Sequence, residues 1–300
     1  MKKIFLINFP KNDDSFFGDE LSSELEKKLV PVYRGFAEDF ALDLGNGREF
    51  KPKLILDCDI IDAKDTVFFF KKRMSHNRFH STLLANFLPL VGSHQINEIY
   101  KEHHKNIGKM AQAINLVKNG YRVPRTLLVH SKSIEKFKDY IEKEFKYPFV
   151  LKGSGSGGYS VWKVGSFSEI KGHISSMSLD KKETIVIQEY IDTSHEEFRV
   201  VMFLEEPVAI IRRASEGFYN NYSQGADVSA TQINNNELEN CKNISKISGL
   251  KYLSIDFMRD FSGDQIFLEL QTGPSMTVSK KANPEIIKEI ATIIRKALAQ

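Results

Sequence analysis

The sequence predicts an α/β protein, with α+β character in its later parts, and three observations lead there. The N-terminal third alternates short apolar runs with a helix-type pattern, which is the order of a small layered α/β domain. Tyr147 to Val164, YPFVLKGSGSGGYSVWKV, reads as a strand, a glycine-rich loop and a second strand, and so as a hairpin. Ile255 to Pro274 reads as two antiparallel strands about a polar turn at Ser262 to Asp264, with acids set among apolar residues.

Taken in order, Ile4 to Phe9 is the first strand. It is not a secretory signal, because its apolar run stops at Phe9 and meets Pro10, Lys11 and two aspartates. Ser22 to Leu29 predicts a helix with a charged outer face, and Leu54 to Ile55 and Thr66 to Phe70 predict buried strands. Phe70 runs straight into Lys71, Lys72 and Arg73, then Ser75, His76, Asn77, Arg78, Phe79 and His80. Cations are thereby placed at the carboxyl end of a sheet, where ligands of α/β folds bind. Each fits a solvated loop as well; as a group they form a landing site for an acidic substrate. Glu102 to Asn119 predicts a helix with Ile107, Met110, Ala111, Ile114 and Val117 on its apolar face, stopped by Gly120. Pro124 would break a helix and an apolar strand follows it, so a domain boundary is expected near this point.

Composition narrows the class. With 41% hydrophobic and 27% charged residues, 300 residues make a full core with room for two or three subdomains. The balance of 42 basic against 39 acidic residues excludes a protein that coats nucleic acid, so any basic patch is local. No stretch approaches the roughly 20 apolar residues of a membrane helix. Cys58 and Cys241 match no metal-ligand spacing and are read as free thiols of a reducing cytoplasm, the expected location.

In the hairpin, Lys152 leads into Gly153, Ser154, Gly155, Ser156, Gly157 and Gly158. A loop with so little side-chain bulk can fold its N–H groups over a polyphosphate beside a fixed lysine charge. It is not a P-loop, since no Gly-Lys-Ser/Thr follows, nor a dinucleotide fingerprint, since it opens no helix. On this stretch alone a flexible surface turn fits equally well.

Over roughly residues 90 to 280 the chain resembles the ATP-grasp ligases, in particular those like the ribosomal-protein glutamate ligases. The resemblance rests on Lys109 in a helix, then Gly120, the Val123-Pro124-Arg125-Thr126 strand, and the Tyr-Pro-hydrophobic-hydrophobic-Lys strand with its glycine loop. It implies an ATP-grasp fold: an N-terminal α/β domain (1–125), a central subdomain with the glycine loop (126–195) and a C-terminal subdomain with the metal site (196–300), enclosing ATP between them. It also implies that Lys109 and Lys152 reach the phosphates, and that Gln188, Glu189, Tyr190 and Ile191 form the adenine hinge, a flat base needing few edge contacts in an apolar slot. By the same likeness Glu197 takes the ribose hydroxyls, Arg213 takes the phosphate, and Asn221 belongs to the loop that closes over the phosphoryl region, where Ala226 replaces a second glycine. In the Pro207 to Arg213 strand, Ala209, Ile211 and Arg213 share one face, and Arg212 lies on the other.

In the Ile255 to Pro274 pair Asp256 ends the first strand, and Asp256, Glu269 and Gln271 are the expected metal ligands, because positions 269 and 271 point to the same face of the returning strand and can converge with it. Oxygen donors of this kind suit Mg²⁺, which keeps waters and uses substrate phosphates. The family has asparagine where Gln271 stands; a hydrated surface turn is the other reading of the acids. The reaction implied is phosphorylation of a carboxylate by ATP to an acyl phosphate, which an amine or hydroxyl then displaces, with Arg213 and Lys152 as catalytic groups. The glycine loop would serve as the lid that keeps water out. The aromatic strand before Lys71, Lys72 and Arg73 resembles a hydrophobic-then-Arg-Arg stretch of the graspetide, or microviridin-type, ligases, which crosslink acidic ribosomally made peptides. That likeness implies an acidic precursor peptide, leader and core, as partner, and side-chain ester or amide macrocycles as product. No nucleic acid or membrane partner is expected, and a homodimer or higher homo-oligomer is left open. Addition of glutamate or another amino acid to a protein or metabolite is the alternative within the enzymes; a nucleotide-binding scaffold without turnover is the alternative outside them.

Overall fold

The computed structural model describes residues 2–9, 17–43, 52–57, 59–71, 78–97, 109–153, 161–177, 184–192, 196–218 and 225–299. The N-terminal part comprises β1 (Lys3–Ile7), α1 (Phe17–Lys27), β2 (Val32–Gly35), β3 (Phe40–Asp43), β4 (Lys53–Leu56), β5 (Asp59–Ile61), β6 (Thr66–Phe70), α2 (Arg78–Phe87), β7 (His94–Ile96) and α3 (Lys109–Lys118). The middle holds β8 (Thr126–His130), α4 (Lys138–Glu144), β9 (Phe149–Lys152), β10 (Val161–Val164), α5 (Phe167–Ser176) and β11 (Thr184–Glu189). The last part holds β12 (Glu196–Phe203), β13 (Glu206–Ala214), β14 (Asp227–Ala230), α6 (Asn235–Ser248), β15 (Tyr252–Arg259), β16 (Gln265–Thr272), α7 (Met276–Ala282) and α8 (Ile286–Ala299).

Strands β2-β1-β6-β7 form a parallel sheet in that order. A strand buried on both faces is apolar throughout, which is why β6, TVFFF, shows no alternation. Its odd and even positions feed two different layers. Ile4, Leu6, Val67 and Phe69 pack with α1, and Phe5, Ile7, Phe68 and Phe70 pack with α2. The chain therefore leaves β1 and β6 toward opposite faces. Helix α1 starts earlier than the sequence pattern indicates because Phe17, Leu21 and Leu25, one turn apart, are the residues it buries. It ends at Lys27, and Leu29 sits beyond it in the left-handed region, 75% exposed. Strands β3-β4-β5 make a small antiparallel sheet beside this domain.

Both layers continue across the antiparallel sheet β14-β13-β12-β15-β16, with Phe198, Val200 and Met202 in one and Val201 and Phe203 in the other. Ile286, Ile287, Ile290, Ala291 and Ile294 of α8 seal the second layer. The antiparallel sheet β10-β9-β11-β8 has a core of its own, built from residues between Leu127 and Ile187. The β9–β10 hairpin forms as its sequence indicates, with Val161 opposite Lys152. Among the described residues no helix is long and apolar enough to cross a membrane.

Helix α3 differs from its sequence pattern. Ile114 and Val117 are 53% and 56% exposed, and Leu116 and Gln112 are buried in their place. The reason lies in the edge strand β16, whose outward N–H groups need acceptors. Gln112 Oε1 accepts from the Leu270 N–H at 3.1 Å, and the Arg122 carbonyl accepts from Phe267 at 2.9 Å. Gly120, left-handed at φ 79°, stops the helix as expected. Gln112→Leu leaves the Leu270 N–H without a partner and is expected to cost about 1–3 kcal/mol, read as a lower urea midpoint. Ile114→Ser is expected to be nearly neutral in the same measurement.

Candidate functional site

Strand β12 alternates charge with hydrophobe: Glu197 and Arg199 lie on one face, Phe198 and Val200 on the other. Residues opposite each other in the ladder share a face, so register assembles the site. Glu197 faces Arg213 on β13; Arg199 faces Asp256 on β15; Asp256 faces Glu269 on β16; and Ser254 faces Gln271. Arg213, Glu197, Arg199, Asp256, Glu269 and Gln271 thus form one polar strip. Arg212 lies on the opposite face, paired with Glu196. Asp256 stands within β15, which runs on to Arg259, and not at a strand end as the sequence pattern indicates.

The strip is tightly paired. Arg199 grips Asp256 in a fork, Nε to Oδ1 at 2.7 Å and a terminal nitrogen to Oδ2 at 2.6 Å. Arg213 donates from one terminal nitrogen to both Glu197 and Asp256, the latter at 2.9 Å. Burial would raise the Asp256 pKa, but the two guanidiniums outweigh it and hold the carboxyl at about 2. Burial dominates at Glu197, helped by the neighbouring Asp256 and Glu269 charges against the pull of Arg213, and pushes that carboxyl up to about 7. Arg213 is 3% exposed, and its buried Nε–H has no acceptor among the described residues. Glu269 and Gln271 keep partial exposure, and Ser254 Oγ donates to Gln271 Oε1 at 3.4 Å.

The second set lies on the middle sheet. Its face away from its own core carries Val161, Lys152, Val186 and Leu128 in one row and Lys163, Val150, Gln188 and Thr126 in the next. This is an apolar floor with Lys152 toward the glycine loop. At its far end Gln188 Nε2 donates to Thr126 Oγ1 at 2.9 Å, and the Glu189 carboxylate accepts from the Arg125 N–H at 2.9 Å. The Glu189 side chain thus fastens the strand end. Tyr190 and Ile191 lie beyond the last ladder pair, Glu189 with Phe149.

The structure brings together Glu197, Arg213, Asp256, Glu269 and Gln271 on one sheet, and Lys152, Gln188 and Glu189, with Tyr190 and Ile191 just past the strand, on another. Lys109 begins α3, one turn before Gln112, which bonds the strand carrying Glu269 and Gln271. Ser154, Gly155, Gly157, Gly158, Asn221, Lys72, Arg73 and the Lys109 side chain lie outside the described residues. Lys71 sits at the carboxyl end of β6, its Nζ 5.8 Å from the centroid of the Phe9 ring. Two residues were missed in the sequence. Arg199 was passed over in Glu197-Phe198-Arg199-Val200, although a cation alternating into an apolar strand signals a buried anion partner. Lys163 was not singled out either, and its Nζ lies 3.8 Å from the Tyr190 ring centroid.

Glu269 and Gln271 fit a hard cation, as partly exposed oxygen donors next to one another on a strand face. Asp256 is the most committed of the three expected ligands, with both oxygens held by guanidiniums. Among the described residues no group of three His, Cys, Asp or Glu side chains is gathered to hold a metal by itself.

The sequence matches the RimK-like ATP-grasp domain over residues 108–294, well over half of the chain. The chain belongs to the RimK-like ATP-grasp family. Solved structures agree on the ATP-grasp fold along its whole length. The ligase PsnB, solved with a phosphomimetic variant of its minimal precursor, Mg and ADP, superposes at a TM-score of 0.73 with 15% identity, covering 100% of this chain and 99% of that one. The macrocyclase MdnB from Microcystis aeruginosa MRC superposes at 0.68 with 17% identity, covering 98% and 99%. D-cycloserine synthetase DcsG superposes at 0.65 with 14% identity, covering 98% and 99%, so one ATP-grasp architecture serves unlike products. Among curated protein sequences none matches this chain.

Because its folded-state pKa is raised from 4.5 to about 7, Glu197 holds its proton more tightly in the folded ATP-grasp chain than in the unfolded one. The stability it contributes is therefore lost as pH rises from about 4.5 through about 7. Glu197→Gln is expected to flatten that slope in urea titrations run from pH 5 to pH 8. An identical slope in both proteins would remove Glu197 as its source.

Proposed function

We propose that the protein is an ATP-dependent carboxylate ligase acting through an acyl phosphate, and that it forms ester or amide crosslinks between side chains of an acidic, ribosomally made precursor peptide. The observation that carries this reading is Arg213: a buried guanidinium, shared between two carboxyl groups, whose Nε–H has no acceptor among the described residues. Leaving such a donor unmade costs about 1–3 kcal/mol, and a phosphoryl oxygen is an anionic acceptor that matches it. In this reading ATP lies between the two sheets. Val150, Val161 and Val186 floor the adenine slot, the peptide groups of Tyr190 and Ile191 meet the base edge, and Glu197 accepts from the ribose. Lys109, Lys152 and the glycine loop of the central subdomain (126–195) hold the phosphates, and that loop serves as the lid that keeps water out.

Chemically, a carboxylate oxygen of the peptide attacks the γ-phosphorus, the bond to ADP breaks, and a hydroxyl or amine then adds to the acyl carbon as phosphate leaves with its electron pair. The attacking group gives up a proton, so the peptide loses the mass of one water per bond. Arg213 and Lys152 hold charge in place along the line of transfer. A Mg²⁺ ion held by Glu269 and Gln271, with Asp256 behind them, would supply charge neutralisation between the phosphates. Lys71, with Lys72 and Arg73, receives the acidic peptide. PsnB is solved with a phosphomimetic variant of its minimal precursor, and the Chryseobacterium gregarium RiPP-associated ligase with a leader and core peptide, which supports a precursor-peptide partner for this chain. Cytoplasmic location and self-association belong to the same proposal. Amino-acid addition to a protein or metabolite remains the second reading, favoured by the breadth of products that DcsG exemplifies.

Incubation with ATP, Mg²⁺ and a Thr/Glu-rich peptide is expected to give ADP and successive losses of one water mass. A gain of one amino-acid residue mass would shift the assignment to amino-acid addition, and no ADP with any carboxylate would leave a non-catalytic scaffold. Glu269→Ala is expected to reduce ADP formation to background with unchanged circular dichroism. Arg213→Gln should lower kcat by about a hundredfold or more. Replacing Lys71, Lys72 and Arg73 together by glutamine should raise the peptide KM far more than the ATP KM; equal effects would remove the acidic-peptide assignment.

A further inference from the structure

One cation on the outer face of the middle sheet has no role in the reading above. Lys163 on β10 stands opposite Val150 on β9, and Val150 stands opposite Gln188 on β11, so Lys163 shares the face that carries the valine floor. Strands β10 and β11 have β9 between them and are therefore about 10 Å apart. The side chains of Lys163 and Tyr190 reach toward each other over that gap, and the lysine Nζ stops 3.8 Å from the centroid of the Tyr190 ring.

Tyr190 is half-buried and is the first residue past β11. Its ring also meets Phe218, which follows the end of β13, with 6.2 Å between centroids. Tyr190 is thus touched by a cation from the middle sheet and by a ring from the segment that leaves the sheet of Arg213. No other residue of the expected adenine hinge has such contacts on both sides among the described residues.

The worth of the lysine contact depends on water. Lys163 is exposed, and an ammonium over a ring in water gains only about a factor of two to five, which the ordering of a long side chain largely cancels. Out of water the same contact gains about thirtyfold or more. A flat base laid on Val150 and Val186 beside Tyr190 would displace that water. The contact therefore adds little to the empty fold and gains its strength when the slot is filled.

We propose that Lys163 is a positioning residue for the nucleotide: its ammonium holds the Tyr190 ring, and with it the adjoining peptide groups, at the base end of the slot. This rests on the ligase reading above, which lays adenine on Val150, Val161 and Val186. The resemblance to the ATP-grasp ligases assigns nothing to this position.

The test uses the full chain, with calorimetric titration of ADP in the presence of Mg²⁺ and thermal melts without nucleotide. Lys163→Met keeps the length of the side chain and removes its charge. It is expected to weaken ADP binding about tenfold and to leave the nucleotide-free melting temperature unchanged. Lys163→Arg keeps a cation over the ring and is expected to retain wild-type affinity. Tyr190→Leu should weaken ADP binding as well, and adding Lys163→Met to it should cost nothing further. A purely structural role would give the reverse pattern, a lower melting temperature with ADP affinity intact. Equal ADP affinity in Lys163→Met and the wild type overturns the proposal, and that comparison stands even if Tyr190→Leu fails to fold. Additive losses in the double variant overturn it too, since Lys163 would then act without Tyr190. Absence of ADP binding by the wild type would sink the nucleotide slot and this proposal together. Binding without turnover of ATP on any carboxylate would sink the ligase reading alone and leave the Lys163 comparison decisive.

Discussion

The structure turns on a buried exchange of charge between two arginines and two carboxyl groups. Taking an ion out of water costs several kcal/mol, and a partner offsets it only where the remaining donors and acceptors are also filled. Asp256, 1% exposed, meets that condition, because three N–H groups from Arg199 and Arg213 converge on its two oxygens. Glu197 has one arginine nitrogen, and Arg213 has an unused Nε. The imbalance explains why burial wins at one carboxyl and the guanidiniums win at the other, and it places the spare capacity of the strip on the Glu197–Arg213 side.

Such a strip requires a rigid frame. Beyond Arg199 and Asp256 the same sheet face turns apolar, with Val201, Phe203, Ala209, Ile211 and Tyr252 in a layer sealed by α1 and α8. That layer, and the one on the reverse face, also contain both sides of the N-terminal sheet. The first and last thirds of the chain are therefore one packed body, in which a shift of β12 would disturb two cores. The middle sheet has a separate core, so it is the part that can change position without breaking either layer.

Much of this was legible in the sequence where local pattern and final environment agree. The β9–β10 hairpin, β6 and the opposite facing of Arg212 and Arg213 all follow from a period of two and the position of turns. Failures occur where a distant strand decides. Nothing within α3 shows that Gln112 must face inward; the free edge of β16 requires it, and Ile114 and Val117 are turned outward in consequence. Strands of three or four residues such as β5 and β7 carry too little pattern to stand out, and they exist because neighbouring strands complete their ladders. Arg199 was masked by the hydrophobes on either side of it, although its partner was already in view at Asp256.

Arg199 and Arg213 are not equivalent in the strip. Arg199 engages Asp256 through Nε and a terminal nitrogen, the two-point geometry that best suits a carboxylate, whereas Arg213 reaches it through a terminal nitrogen alone. Withdrawing Arg213 leaves Asp256 gripped by the fork; withdrawing Arg199 leaves it with a single bond in a buried site. Arg199 is thus the fixed member and Arg213 the adjustable one, and the adjustable member is the one whose Nε–H has no acceptor among the described residues. An arriving anion can recruit Arg213 without stranding the Asp256 charge, because the grip that keeps that charge tolerable belongs to its neighbour.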